Sequence, residues 1–404
     1  MSTTWATSRS RRARFSSSRP TPWSSSNPVR KTPIYLLGLT VTALVALGLI
    51  VLCSASGTNA ARLHNGNVYF FVERQFVYLG VGVVAACAAT FFDYHRWRDN
   101  LAFTVLFYLA VVVLLAAVFL FPAINGSQRW LNLGPIRLQP SELAKLATVI
   151  VLGVYLDRIG WRVELFKRGA LASAALVAPF ALLVVLEPDF GSFMVIACTA
   201  GLMMFLAAVR VWHVACVGAA GVLLFVVKLL SNANRMGRLA AFLGSDDADN
   251  PAAYQVAMAR VALQRGGLLG VGYMQSMQKH GYLPEAHTDF IFAVGAEEFG
   301  LVFTVGVLLL FVLFFILALY IAHHAEDRLG RFLAYGMAFI IFFQACFNLG
   351  VVCEALPTKG MALPFFSYGG TNLVSAFLAV GVILSVGIHS SNNVKRRLKR
   401  TVRP

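Results

Sequence analysis

The stretch Phe290-Ile-Phe-Ala-Val-Gly-Ala-Glu-Glu-Phe-Gly-Leu-Val-Phe-Thr-Val-Gly-Val-Leu-Leu-Leu-Phe-Val-Leu-Phe-Phe-Ile-Leu-Ala-Leu-Tyr-Ile321 decides the fold. Its only charges are Glu297 and Glu298. As a helix it would run about 48 Å at 1.5 Å per residue, more than the roughly 30 Å of hydrocarbon in a bilayer. Stretches of the same kind recur at 34–54, 70–92, 101–121, 142–157, 169–186, 190–208, 211–230, 331–353 and 370–391. Together they predict an all-α, polytopic membrane protein with about ten transmembrane helices. The fourth is short and polar at its start, and only Glu187-Pro188-Asp189 separates the fifth from the sixth. No internal repeat stands out that would divide the chain into two inverted halves.

Composition agrees. Of 404 residues, 58% are apolar and 13% charged, about half the charged share of a soluble domain, which excludes soluble enzyme folds. The formal net charge of +16 could indicate nucleic acid, but the positions of the cations give another reason. An even number of spans puts both termini on one side. With the N-terminus in the cytoplasm, the inside segments hold 22 of the 34 basic residues. This is the positive-inside bias. Residues 1–32, rich in Arg, Ser and Pro, then read as a disordered basic cytoplasmic tail and not an export signal. Residues 33–391 form the membrane domain and 392–404 a second basic cytoplasmic tail. Five of the six cysteines fall inside apolar runs and Cys353 near the end of one, with no CxxC pair; they read as small core residues.

Four outer connections are more than turns: 126–140, the 187–189 corner, the large extracytoplasmic loop 231–288 between helices 7 and 8, and 354–370. Asp289 sits where the third of these becomes an apolar helix, at the rim of the membrane. There a general base could reach a hydroxyl whose carrier is anchored in lipid; a helix N-cap, by Thr288 or Asp289, would use the same position. Glu285 and His287 crowd this corner. Glu297 and Glu298 lie roughly 12–14 Å further along the helix. Intramembrane carboxylates are costly and usually paired, so Lys145 and Lys228 are the expected partners in a structural ion-pair network, with a proton pathway as the alternative.

Arg129, Arg137 and Lys145 stand on the outer side against the general charge bias, which invites an anionic ligand, because an arginine fork matches a diphosphate. Trp130 reads equally as an interfacial anchor. Ser141 and Glu142 look like an N-cap and a first-turn acid. Lys359 is the one cation in a Pro- and Gly-rich loop; it contacts a phosphate or snorkels to headgroups. Gly266-Gly-Leu-Leu-Gly-Val-Gly272 lacks the strand that a nucleotide loop needs. Residues 254–264 could lie as an amphipathic helix on the outer surface, with Arg260 and Arg265 available to headgroups or substrate.

Five motifs carry a resemblance. They are Gly126-Ser-Gln-Arg-Trp130 with Gln139-Pro-Ser-Glu-Leu-Ala-Lys145, then Glu187-Pro-Asp-Phe-Gly191, then Tyr282-Leu-Pro-Glu-Ala-His-Thr-Asp-Phe-Ile-Phe292, then Pro357-Thr-Lys-Gly360, then Leu363-Pro-Phe-Phe-Ser-Tyr-Gly-Gly370. From about Thr32 to Ser391 the chain resembles the SEDS (FtsW/RodA/SpoVE) family. Its Leu-Pro-Thr-Lys-Gly form is more like the division members than the elongation members.

The resemblance implies a peptidoglycan glycosyltransferase in the cytoplasmic (inner) membrane at the division septum, polymerising lipid II on the periplasmic face. The family's essential acid falls on Asp289, the catalytic base, with undecaprenyl diphosphate leaving. Arg129, Lys145 and Lys359 would bind substrate, and Glu285, His287 and Ser367 are taken as further substrate contacts. A divalent cation, Mg or Mn, could assist at the diphosphate, but no metal-ligand spacing identifies a site. Implied partners are a class B penicillin-binding protein, the septal transpeptidase FtsI, and other divisome membrane proteins; nucleic acid is not among them. A lipid II flippase, an elongation-type polymerase and a purely recruiting scaffold are the competing readings.

Overall fold

The structure, a computed structural model, describes residues 31–63, 66–122, 128–133, 136–230, 236–237 and 251–401. The expected tail up to residue 30, the start of the first outer motif (Gly126 and Ser127) and much of the loop 231–250 lie outside the described residues.

Helices occupy all ten expected stretches: α1 (Lys31–Leu63), α2 (Phe70–Phe91), α4 (Leu101–Ala117), α5 (Pro140–Ile159), α6 (Ala172–Leu186), α7 (Phe190–Leu206), α8 (Val211–Leu230), α10 (Ile291–His323), α11 (Arg328–Val352) and α12 (Gly370–Thr401). Short α3 (His95–Asp99) and α9 (Pro251–Gly266) complete the set. Among the described residues seven are long and apolar enough to cross a bilayer, α4 when carried on to Leu120 and α6 when begun at Lys167. Helix α7 and the stretch Val211–Val227 of α8 are apolar but shorter. Helix α5 is a different object. It carries Glu142, Lys145, Asp157 and Arg158, and it is packed by α4, α6, α7 and α11, so most of its side chains are buried. A polar helix is tolerated at membrane depth when protein instead of lipid surrounds it. Helix α12 continues through the basic C-terminal run to Thr401. Not foreseen is a two-stranded antiparallel ribbon, β1 (Leu131–Leu133) with β2 (Ile136–Leu138), pairing Leu131 with Leu138.

Three of the six cysteines, Cys87, Cys216 and Cys346, sit exposed on helix surfaces, Cys353 is exposed just past α11, and all six are free. They are therefore not core residues as a group; on a lipid-facing helix a thiol is simply another weakly polar side chain.

Helix α10 breaks at Gly300, whose φ of 73° and ψ of −165° leave the helical region. A break at membrane depth strands backbone groups that lipid cannot satisfy. The segment after α9 supplies the partners: Val271 and Gly272 N–H donate to the carbonyls of Glu297 and Glu298 (both 3.0 Å), and Leu301 and Val302 N–H donate to the carbonyls of Gly267 and Leu268 (2.9 and 3.3 Å). A Cβ on Gly270 would lie 2.1 Å from the Glu298 carbonyl oxygen, so this approach requires glycine. The 266–272 glycine run is thus a splice across a broken helix.

The same splice corrects the expected partners of the two glutamates. Glu298 accepts from Lys279 Nζ (3.0 Å) and Ser54 Oγ (2.5 Å). Glu297 pairs with Arg265 at 3.6 Å and accepts from Ser276 Oγ and the Met277 and Gln278 amides. Lys145 instead bonds Glu142, one turn away on α5 (2.7 Å); the Lys228 side chain lies outside the described residues. The partners come from a loop folded back against α10, which helix spacing alone does not reveal.

Opposite the long loops, the short connections gather charge. Tyr94 donates to Asp327 (2.8 Å), Asp327 caps α11 through the Gly330 amide (3.1 Å), and Arg98 lies 3.5 Å from Asp327 and 3.8 Å from Asp157. Arg96, Arg158, Arg162, Lys167, Arg168 and Arg328 belong to this end, between α2 and α4, α5 and α6, and α10 and α11.

Candidate active site

At the other end of the bundle a cavity of about 450 Å³ opens among several chain segments. Arg129 and Trp130 come from the approach to β1, Gln139 and Glu142 from the start of α5, and Asp189 and Ser192 from the start of α7. Glu285, Asp289 and Phe290 come from the entry to α10, and residues 358–362 from the loop after α11. Gln255 of α9 contributes from the large outer loop. Antiparallel packing of helices brings these segments to one end, because each is the connection or terminus of a span that exits there.

Asp289 stands one residue before the N-cap of α10. The N-cap is Phe290, with no side-chain cap bond, and Thr288 donates its hydroxyl to Glu285 Oε2 (2.7 Å). The Asp289 carboxylate lines the cavity, and a Cβ on Gly360 would come within 2.8 Å of its Oδ2. Lys359 lines the cavity too. Its ammonium stands over the rings of Phe190 (5.9 Å) and Phe347 (5.7 Å), an electrostatically favourable seat for a cation.

Arg129 reaches across to the 187–189 corner, donating to the carbonyls of Glu187 (3.4 Å) and Pro188. Asp189 is the N-cap of α7. It accepts from the Ser192 amide (3.3 Å), Ser141 Oγ (3.0 Å) and Gln139 Nε2 (3.1 Å). Burial opposes its charge, but Arg129, the hydrogen bonds from Ser192, and Lys145 outweigh it, and its carboxyl is held below the ordinary range. Glu187 is the opposite case. It is fully buried with no hydrogen-bond partner on either oxygen, and burial, then the charge of Asp189, push its carboxyl up to about 8 against the pull of Arg129. Two carboxyls two positions apart therefore hold different protonation states at neutral pH.

Other expected contacts stand elsewhere. Lys145 is 1% exposed and engages Glu142, whose second oxygen accepts from Ser375 (2.9 Å), so it lies behind the cavity wall. Ser367 is buried and its hydroxyl accepts from the Leu363 amide (2.8 Å), closing the 363–367 turn. The His287 ring packs against Phe71 (4.6 Å) and, more distantly, Tyr368 (6.0 Å); burial pushes its imidazole below the usual range while Glu285 pulls the other way. None of the three lines the cavity. Arg260 forms a two-pronged pair with Glu354, and Arg265 faces Glu297, so each has a carboxylate partner within the protein. Residue typing missed Asp189, Gln255, Gln344 and Asn372 as cavity residues. Only Asp189 had a signal, the polar corner between two apolar runs. Among the described residues no group of three or more His, Cys, Asp or Glu stands close enough to hold a metal ion.

The family described as "Cell cycle protein" (FtsW/RodA/SpoVE) matches residues 35–392. The chain is 38% identical over 355 residues to a Coxiella burnetii protein named probable peptidoglycan glycosyltransferase FtsW, covering 87% of this chain and 95% of that one. It is 35% identical to stage V sporulation protein E of Bacillus subtilis, covering 89% and 98%. Among solved structures it is similar to a chain of a peptidoglycan synthase complex described as coordinating polymerization and crosslinking (TM-score 0.71, 28% identity, 88% and 98% covered). It is also similar to the rod shape determining protein RodA of Thermus thermophilus (TM-score 0.64, 27% identity, 88% and 96% covered).

Proposed function

Because the chain belongs to the FtsW/RodA/SpoVE family, we propose that it is a peptidoglycan glycosyltransferase of septal wall synthesis, with the cavity around Asp289 as its active site. The observation that carries this reading is the meeting of Asp289, Arg129 and Lys359 around one cavity. Its lining comes from the end of the bundle remote from the basic connections, which positive-inside orientation puts on the periplasmic side.

The chemistry follows from the groups present. Asp289 takes the proton from the 4-hydroxyl of the acceptor sugar as that oxygen attacks the anomeric carbon of the lipid-linked donor. The bond from that carbon to the diphosphate breaks, and undecaprenyl diphosphate leaves with the electron pair. An α-linked donor and a β-1,4 product mean a single inverting displacement, for which one base suffices. Charge on the leaving diphosphate is met by Lys359 and by Arg129, which its bonds to two carbonyls hold in place. Lys145 acts at one remove, by neutralising Glu142 and favouring the ionised form of Asp189. A class B penicillin-binding protein is the partner this reading implies, by likeness to the synthase complex.

The test is polymer formation from labelled lipid II by the purified full-length chain with its transpeptidase partner. Asp289→Ala is expected to cut turnover by about 10²–10⁴-fold, the usual worth of a general base. Polymer at the normal rate from that variant would remove the assignment, and lipid II crossing vesicles without any polymer would make the protein a transporter.

A further inference from the structure

Resting on the assignment of Asp289 as the base, we propose that Asn348 is a positioning residue that fixes where the Asp289 carboxylate stands relative to the Lys359-Gly360-Met361 segment. Asn348 lies in the last turns of α11 and is 2% exposed. Its Nδ2 donates to the Asp289 carbonyl (2.8 Å) and to the Met361 carbonyl (2.7 Å). Both neighbours can only accept, so the amide must present its nitrogen to them. One side chain from a third element therefore brackets the two segments that carry the base and the cavity lysine.

Gly360 shows how close that bracket draws them. A Cβ there would stand 2.8 Å from Asp289 Oδ2, so any side chain at this position would press on the carboxylate. The amide is not present for packing. Asn348 Oδ1 is buried without a hydrogen-bond partner, a cost that a leucine of similar volume would avoid. What a leucine lacks is the pair of donors. The arrangement holds the acid in register with Lys359 before any substrate arrives, the kind of preorganisation on which a proton transfer depends.

The experiment compares Asn348→Ser, which keeps one donor, Asn348→Leu, which keeps none, and Gly360→Ala, which presses on Asp289 from the opposite side. Each is assayed for lipid II polymerisation in the full-length chain with its partner, with thermal unfolding in detergent as the folding control. Turnover is expected to fall about 10-fold in Asn348→Ser and about 100-fold in Asn348→Leu and Gly360→Ala, with KM nearly unchanged. The acid limb of the pH–rate profile should move by about half a unit or more, because the base has changed surroundings. A merely structural amide would lower the melting temperature and leave that limb in place. If Asn348→Ser and Gly360→Ala fold, turn over normally and keep the native pH profile while Asp289→Ala is inactive, the positioning role is wrong and the base assignment stands. An active Asp289→Ala would instead end the reading on which it rests. Should Asn348→Leu fail to fold, the other two variants still decide.

Discussion

Asp289 and the pair Glu297–Glu298 belong to the same entry into α10, eight and nine residues apart, yet the fold treats them oppositely. Glu297 and Glu298 are walled in, with donors from Lys279, Arg265, Ser54, Ser276 and three amides arranged around them. Asp289, at the helix mouth, faces a cavity large enough for a ligand. A carboxylate surrounded by protein donors stabilises a particular chain path, here the splice at Gly300. One that lines a cavity is placed to act on something that enters. The chemistry of the side chains is the same, and the difference lies in where the fold puts each carboxylate, inside packed protein or on a cavity wall.

That contrast can be broken by experiment. Lys279→Met leaves Glu298 buried without its ammonium, and the loss of one member of such a pair costs about 3–5 kcal/mol. Thermal unfolding in detergent should show a large drop, mostly regained in Lys279→Met with Glu298→Gln. Asp289→Asn should leave the melting temperature near that of the native chain, and an equally large drop there would erase the distinction between the two sites.

The buried Glu187 sharpens the comparison at smaller amplitude. Its folded value of about 8 lies above its ordinary 4.5, so the folded state keeps a proton that the unfolded state gives up. Its contribution is then fully present below about pH 4.5 and is lost as pH rises toward about 8. Glu187→Gln, which is neutral throughout, should flatten the dependence of melting temperature on pH across that window. Parallel curves for the two proteins would show that this carboxyl is ionised in the folded state after all. The smallest effect belongs to Arg260→Ala. It breaks an exposed pair with Glu354, and exposed pairs contribute little, so the melting temperature should hardly move. A large loss of polymerisation in this variant would show that α9, through Gln255, needs that latch to cover the cavity.

Much of this was legible in the residues. The ten apolar stretches became ten helices because hydrophobic length is imposed by the bilayer and not by neighbours. Position and motif together pointed to Asp289, Arg129 and Lys359 before any coordinates. The partners of Glu297 and Glu298 were not legible, because Lys279 and Arg265 reach them through a re-entrant loop. Nor was the retreat of Lys145, Ser367 and His287 behind the cavity wall, which depends on which face of each segment turns inward. The glycine run at 266–272 had no visible purpose until Gly300 broke the helix beside it.

The sequence by itself determined that this chain crosses a membrane many times, which connections carry the basic residues, and the chemical types in the long loops. Hydrophobic transfer and charge placement act on each segment separately, so those properties need no knowledge of neighbours. Only the tertiary structure decided that Arg129, Asp189, Asp289 and Lys359 share one cavity while Glu297 and Glu298 do not. Proximity between segments far apart in the chain is set by helix packing and by backbone hydrogen bonds across a break, and these exist only once the helices have come together.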